Sequence, residues 1–251
     1  LYQHHALFDV VANTDEHLPQ LHPVDSMLFK VGINPDEVQP WHKRIPPAFS
    51  HEDVDTANNF VKTNLSGQPF AIYQPSASSR IRSLSTDASI MLLFKLAEEM
   101  PDLQWLAIYD HRQVDVQKSL ASPHRPLNVH SAVFSRIRTL WAVTQRAAVV
   151  VAPDSMMVHA AGCLNVPCVG LWGPTGPESR VKYYLQHHPI FNPAACNMSP
   201  CHSFQATFPR YCPPLGVPRS ECSVLTAITE ASVVQMVKKA RDNDQRDCRI
   251  S

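Results

Sequence analysis

Four stretches of this chain are continuous apolar runs instead of alternating ones: "FAIYQ", "LQWLAIYD", "AVVVAP" and "VPCVGLWG". A strand that is apolar at every position has both faces buried, as in a parallel sheet covered by helices on each side. Between the runs lie segments with helical spacing. "SHEDVDTANNFVKTNL" opens on a Ser cap and reads as helix to about Leu65. "STDASIMLLFKLAEEMPD" opens on Ser/Thr/Asp and stops at a Pro, so it also reads as helix. "VFSRIRTLWAVTQRA" carries Val133, Ile137, Leu140 and Trp141 at helical spacing, "DSMMVHAAGCLN" reads as a short helix, and a last long helix is expected from about Val224 to Asp242. The alternation predicts an α/β fold, a Rossmann-like parallel sheet with helices on both faces, over roughly 51–185 plus the last helix.

The first fifty residues have another texture, rich in Pro, His and Asp. One short helix is expected there, Val24 to Val31, followed by an extended linker in "NPDEVQPWHKRIPP", whose prolines block helix and central strand. The chain does not start with Met, and "LYQHHALFDVVANT" reads like the middle of a longer sequence. The division expected is a segment and linker over 1–50, then a domain over 51–251.

Charge narrows the function. The chain has 22 basic and 22 acidic residues, with 13 His outside that count. Such balance argues against bulk binding to nucleic acid or an anionic membrane, and leaves room for a local anion site. No apolar run reaches the roughly 18–20 residues of a membrane helix. No basic-then-apolar leader pattern is present, and the Cys usage suggests a reducing compartment.

In open parallel sheets, ligands sit outside the C-terminal strand ends. Those ends collect Ser76, Ser78, Ser79, Arg80, Arg82, Asp110, Asp154, Ser155, His159, Thr175 and Arg180. Hydroxyls, helix N-terminal amides and arginines together suit phosphate, and an Asp at a strand end suits a ribose or sugar hydroxyl. Asp154 and Ser155 stand where strand becomes helix, so they can cap it. His159 lies about one helical turn on, able to share their face. Gly173-Pro174-Thr175-Gly176-Pro177 forms a stiff turn with bare backbone. The paired histidines His4-His5 and His187-His188 read as surface.

"DSMMVHAAGCLNVPCVGLWGPTGPESR" resembles the hallmark of family 9 glycosyltransferases, the ADP-heptose:lipopolysaccharide heptosyltransferase group, and "AIYQPSASSRIRSLS" is similar to their Pro-Gly-Ala-Ser motif. The resemblance covers roughly residues 60–240. It implies the C-terminal, donor-binding half of a two-domain GT-B fold, with 1–50 as the tail of the N-terminal domain. It implies transfer of a sugar from a nucleoside diphosphate sugar, ADP-heptose-like, to a glycan, lipid-linked or protein acceptor. It places Asp154, Ser155 and His159 at the diphosphate-sugar and Ser76 and Ser78 at phosphate. Arg82 stands where the family has Lys, Met156 where it has Gly after Asp-Ser, and Ser76 where it has the Gly of Pro-Gly-Ala. The glycine-rich loop and acidic base of the family's N-terminal domain have no counterpart in these residues, so no general base is assigned. The alternative is a non-catalytic relative kept as a binding or structural module. The localisation implied is cytoplasmic, or peripheral at the inner membrane face, and no metal is implied for transfer.

Four cysteines crowd into the Pro-rich segment 191–222: Cys196, Cys201, Cys212 and Cys222, with four, ten and nine residues between successive ones. Such a segment buries too little apolar surface to offset its chain entropy unaided. A tetrathiolate site for structural zinc or iron, two disulfides, or free thiols are the alternatives, with Cys163 and Cys168 standing apart. In some family 9 relatives four such cysteines form a metal finger.

Overall fold

A computed structural model describes residues 22–201, 211–212, 217–218 and 221–243. In chain order the strands are β1 (Phe70–Tyr73), β2 (Gln104–Ile108), β3 (Val129–Ala132), β4 (Val149–Pro153), β5 (Cys168–Leu171) and β6 (His187–Ile190). They form one parallel sheet in the order β3-β2-β1-β4-β5-β6. The order reverses between β1 and β4, which makes their C-terminal ends the crevice of the sheet. At the centre Ile72 stands in register with Leu106 and Val150.

The helices are α1 (Pro23–Lys30), α2 (His51–Asn64), α3 (Thr86–Glu99), α4 (Val114–Leu120), α5 (Ile137–Thr144), α6 (Met156–Leu164), α7 (Glu178–Val181), α8 (Ser223–Thr226) and α9 (Glu230–Asp242). Successive residues of each strand point to opposite faces. Ala71, Tyr73, Trp105, Val149 and Val151 therefore meet α3, α4, α8 and α9. Phe70, Ile72, Leu106, Val150 and Cys168 meet α2, α5 and α6.

The helix ends follow from local chemistry. Ser50 and Asp53 make the expected cap of α2 reciprocal: Ser50 Oγ accepts from the Asp53 amide at 3.2 Å, and the Ser50 amide donates to Asp53 Oδ2 at 2.9 Å. Ser155 caps α6 by accepting from the Met157 amide. Asn165 ends α6 at φ 56°, a left-handed position that Asn tolerates.

Several expectations need correction. Two strands went unread, β3 and β6. The helix expected from Val133 starts at Ile137, and the last long helix is two, broken at Ala227–Thr229. The linker holds 3-10 turns at Pro35–Glu37 and Pro40–Lys43. A two-residue pair, β7 (Tyr211–Cys212) with β8 (Val217–Pro218), lies apart from the sheet. His4 and His5 fall outside the described residues.

His187 is no surface residue. Trp172 Nε1 donates to its Nε2 at 3.0 Å, and a Cβ on Gly170 would lie 2.4 Å from its Cε1. Burial, reinforced by His188 and His159, pushes its pKa down to about 3 from 6.5. The unfolded chain therefore binds this proton first, so stability is complete above 6.5 and falls as pH drops from 6.5 toward 3. Urea midpoints measured from pH 7 to pH 4 should show this fall. His187→Gln, which still accepts from Trp172, should show a shallower one, and an equal slope would contradict the assignment.

Candidate functional site

The β1–α3 loop forms the floor of the sheet's crevice, and buried hydroxyls fix its path. Ser89 Oγ donates to the Pro75 carbonyl at 2.7 Å, and the Tyr73 hydroxyl donates to the Ser89 carbonyl at 2.8 Å. Ser83 Oγ accepts from the Ala77 amide and donates to the Ser79 carbonyl. Above this loop and the end of β2 opens a cleft of about 620 Å³. Val133, Phe134, Leu140 and Met156 make one apolar wall; Gln74, Ser76 and Ser78 line the floor; Asp110, His111 and Arg112 stand at the rim. Met156 thus extends the wall of the cleft from the first position of α6.

Beside the floor, three of the expected residues meet. Arg82 Nη2 donates to Ser78 Oγ at 2.7 Å, and Nη1 donates to the Asp154 carbonyl at 3.0 Å. The same guanidinium lies 3.7 Å from the Asp154 carboxylate, which is almost wholly buried. The Arg82 Nε has no partner among the described residues. Ser155 Oγ donates to Gln74 Oε1 at 2.5 Å, joining the ends of β4 and β1. An arginine fork, hydroxyls and a helix start converge there on the switch point, a donor set suited to an anion.

Asp110 stands at the rim as expected, and its carboxylate is engaged. Arg112 Nε and Nη2 donate to it at 2.8 and 2.9 Å, which holds the carboxyl below the usual range. Ser76 accepts from Gln113 Nε2, and Gln113 Oε1 accepts from the Asp110 amide. Gln74, Arg112 and Gln113 were not singled out in the sequence, where nothing marks their reach across loops.

Thr175 follows the end of β5, and residues 171–177 are all buried. A Cβ on Gly173 would lie 2.7 Å from Leu225 Cγ, and one on Gly176 would lie 3.5 Å from Pro200. The segment before α9 packs over the turn, so its bare backbone serves close packing. The Thr175 hydroxyl is without a partner among the described residues. His159 sits on α6 near the Asp154 charge, with burial lowering its pKa; Tyr184, also unread in the sequence, holds one of its nitrogens.

Cys196, Cys201 and Cys222 lie near enough that the first two help burial raise the Cys222 thiol pKa. Cys163 lies on α6 and Cys168 within β5. The side chain of Cys212 lies outside the described residues. Among the described residues no three His, Cys, Asp or Glu side chains are grouped to hold a metal ion. The three described thiols alone therefore do not make a metal donor set.

Residues 123–211 match the model of glycosyltransferase family 9 (heptosyltransferase). That span contains the Asp154 motif and Thr175; the Ser76–Arg82 loop lies before it. Among solved structures, the family 9 glycosyl transferase of Veillonella parvula DSM 2008 is 15% identical, with a TM-score of 0.62 over 88% of this chain and 60% of that one. The E. coli ADP-heptose lipopolysaccharide heptosyltransferase II is 15% identical, with a TM-score of 0.58 over 78% and 53%. The iron-containing dodecameric glycosyltransferase TibC of enterotoxigenic E. coli H10407 is 13% identical, with a TM-score of 0.59 over 89% and 54%. At these identities the likeness is one of fold, and it agrees with the α/β architecture expected from the sequence. This chain spans 53% to 60% of the length of those structures. No curated protein sequence matches it significantly.

Proposed function

We propose that this chain, which carries the family 9 glycosyltransferase match, is the donor-binding part of an enzyme that takes a sugar from a nucleoside diphosphate sugar. The donor is ADP-heptose-like, and the acceptor is a glycan, a lipid-linked molecule or a protein. The observation that carries this reading is the meeting of Ser78, Arg82 and Asp154 at the switch point, beside a cleft with one apolar wall. A planar base suits Val133, Phe134 and Met156, and a ribose diol suits the Asp110 rim. The diphosphate suits Ser76, Ser78, Ser155 and the Arg82 fork. As the bond to the sugar breaks, charge accumulates on the departing diphosphate. A fixed guanidinium and hydroxyls aimed at that charge stabilise it more than they stabilise the intact donor.

The enclosed Thr175 and the Arg112-bound Asp110 favour a second reading, a binding module that holds the nucleotide without transferring the sugar. Neither reading needs a membrane span, and among the described residues no helix is long and apolar enough to cross one. Isothermal titration with ADP-, GDP- and UDP-sugars is the test. One of the three is expected to bind at the cleft; heat from none of them, with a folded sample, would remove both readings. Binding with no sugar transfer by the intact natural protein would select the second.

A further inference from the structure

His159 has two ring nitrogens, and the structure engages one of them. Its Nδ1 lies 3.1 Å from the Tyr184 hydroxyl, the rings meeting edge to face at 76°. Tyr184 has little freedom to shift. Its ring lies against α6 at Gly162, where a Cβ would come within 2.2 Å of ring carbon Cδ2. Its hydroxyl also neighbours the Cys163 thiol. His159, Gly162 and Cys163 are spaced three and four residues apart, one face of the helix. Any larger residue at 162 would push the phenol off the histidine.

A proton count favours one tautomer. Burial raises both the Cys163 and Tyr184 pKa values, so the thiol and phenol each keep their proton at neutral pH. The phenol has one proton and two neighbours. An imidazole nitrogen accepts strongly, whereas a thiol sulfur is a weak acceptor that can donate its own S–H. A phenol with one proton donates to that nitrogen more strongly than it accepts from a ring N–H, so the economical arrangement runs Tyr184 Oη–H to His159 Nδ1. The ring proton then sits on Nε2, which makes no hydrogen bond to the protein among the described residues. The reverse arrangement would spend the phenol proton on sulfur and leave Nε2 a proton acceptor.

We infer that Tyr184 is a positioning residue that fixes His159 as the Nε2–H tautomer, so that His159 enters the Asp154 site as a neutral hydrogen-bond donor to an anionic ligand. The inference rests on the donor-site reading for its ligand, though not for its tautomer. It assigns His159 to charge stabilisation and away from general base work. The residues that make it possible are specific: Gly162 for clearance, Tyr184 for the proton.

Nitrogen-15 NMR of histidine-labelled protein tests it directly, with Tyr184→Phe, which keeps the ring on Gly162, as the variant. The wild-type His159 should show one tautomer, protonated at Nε2; the variant should show a mixture. ADP binding to the variant should weaken about three- to ten-fold, the loss of one hydrogen bond's worth of orientation. A wild-type ring protonated at Nδ1, or a tautomer unchanged in Tyr184→Phe, would overturn the inference. If ADP binds neither protein while the tautomer behaves as stated, the positioning role stands and the donor-site reading falls. Unchanged ADP affinity alongside a scrambled tautomer would show that the His159 donor does not face the ligand, and would overturn the functional half.

Discussion

Asp25→Ala should destabilise the protein by about 3–5 kcal/mol, the cost of leaving one member of a buried ion pair alone. Lys43 Nζ donates to Asp25 Oδ1 and to the Tyr183 hydroxyl, each at 2.8 Å, and Tyr183 donates to the carboxylate at 2.6 Å. The Asp25 and Lys43 side chains are 6% and 4% exposed, so water cannot replace either partner. Burial by itself would raise the Asp25 pKa; the hydrogen bonds from Lys43 and Tyr183 outweigh it and leave it lowered. The sign follows. A depressed carboxyl contributes stability above its unfolded value and loses it as pH falls through its folded one. Wild type and variant should therefore converge in acid. Urea unfolding at pH 7 checks the magnitude. Asp25→Ala with Lys43→Met, which removes the stranded ammonium, should recover most of the loss. A double variant as unstable as the single one would show that packing, not the ion pair, carries the effect.

That network also shows where the sequence stopped being informative. A boundary at residue 50 is read from the change in sequence texture alone. Nothing in "HPVDSMLFK" tells that Asp25 will meet Tyr183, 158 positions away, or that His22 Nε2 will lie 3.0 Å from the Arg180 carbonyl. Strands buried on both faces announce themselves: β1, β4 and β5 are apolar throughout, and β2 is apolar after Gln104. Edge strands do not. In β3, "VHSA", His130 and Ser131 put a polar residue on each face, and in β6, "HHPI", two histidines and a Pro resemble a loop until Trp172 and Gly170 enclose the first. The site divides similarly. Ser78, Arg82, Asp154 and Ser155 lie just past strand ends, so topology alone brings them together. Tyr184 reaches the site only because Gly162 leaves room for its ring. Thr175 follows a strand end too, yet it is enclosed by a segment more than twenty residues further on, a packing event with no local signal.

Arg82→Ala should weaken binding of a nucleoside diphosphate by about 1.5–3 kcal/mol, the range for a hydrogen bond to a charged group. This is about 10- to 150-fold in Kd. The expectation rests on placement. Arg82 is the cation that joins the β1 loop to the end of β4, through Ser78 at 2.7 Å and the Asp154 carbonyl at 3.0 Å. Arg80, two residues earlier, is exposed and makes neither contact. Its replacement by Ala should stay within about two-fold, as for an ordinary surface change. Arg82→Lys separates charge from shape. An ammonium keeps the attraction for phosphate but cannot hold Ser78 and Asp154 with one planar fork, so an intermediate loss is expected. Removing Arg82 also strips the buried Asp154 carboxylate of its nearest cation, so thermal melting must accompany the titration. A binding loss that exceeds any loss of folded protein assigns Arg82 to the ligand. Equal losses from Arg80→Ala and Arg82→Ala, or none from Arg82→Ala, would mean that the anion sits elsewhere along the strand ends.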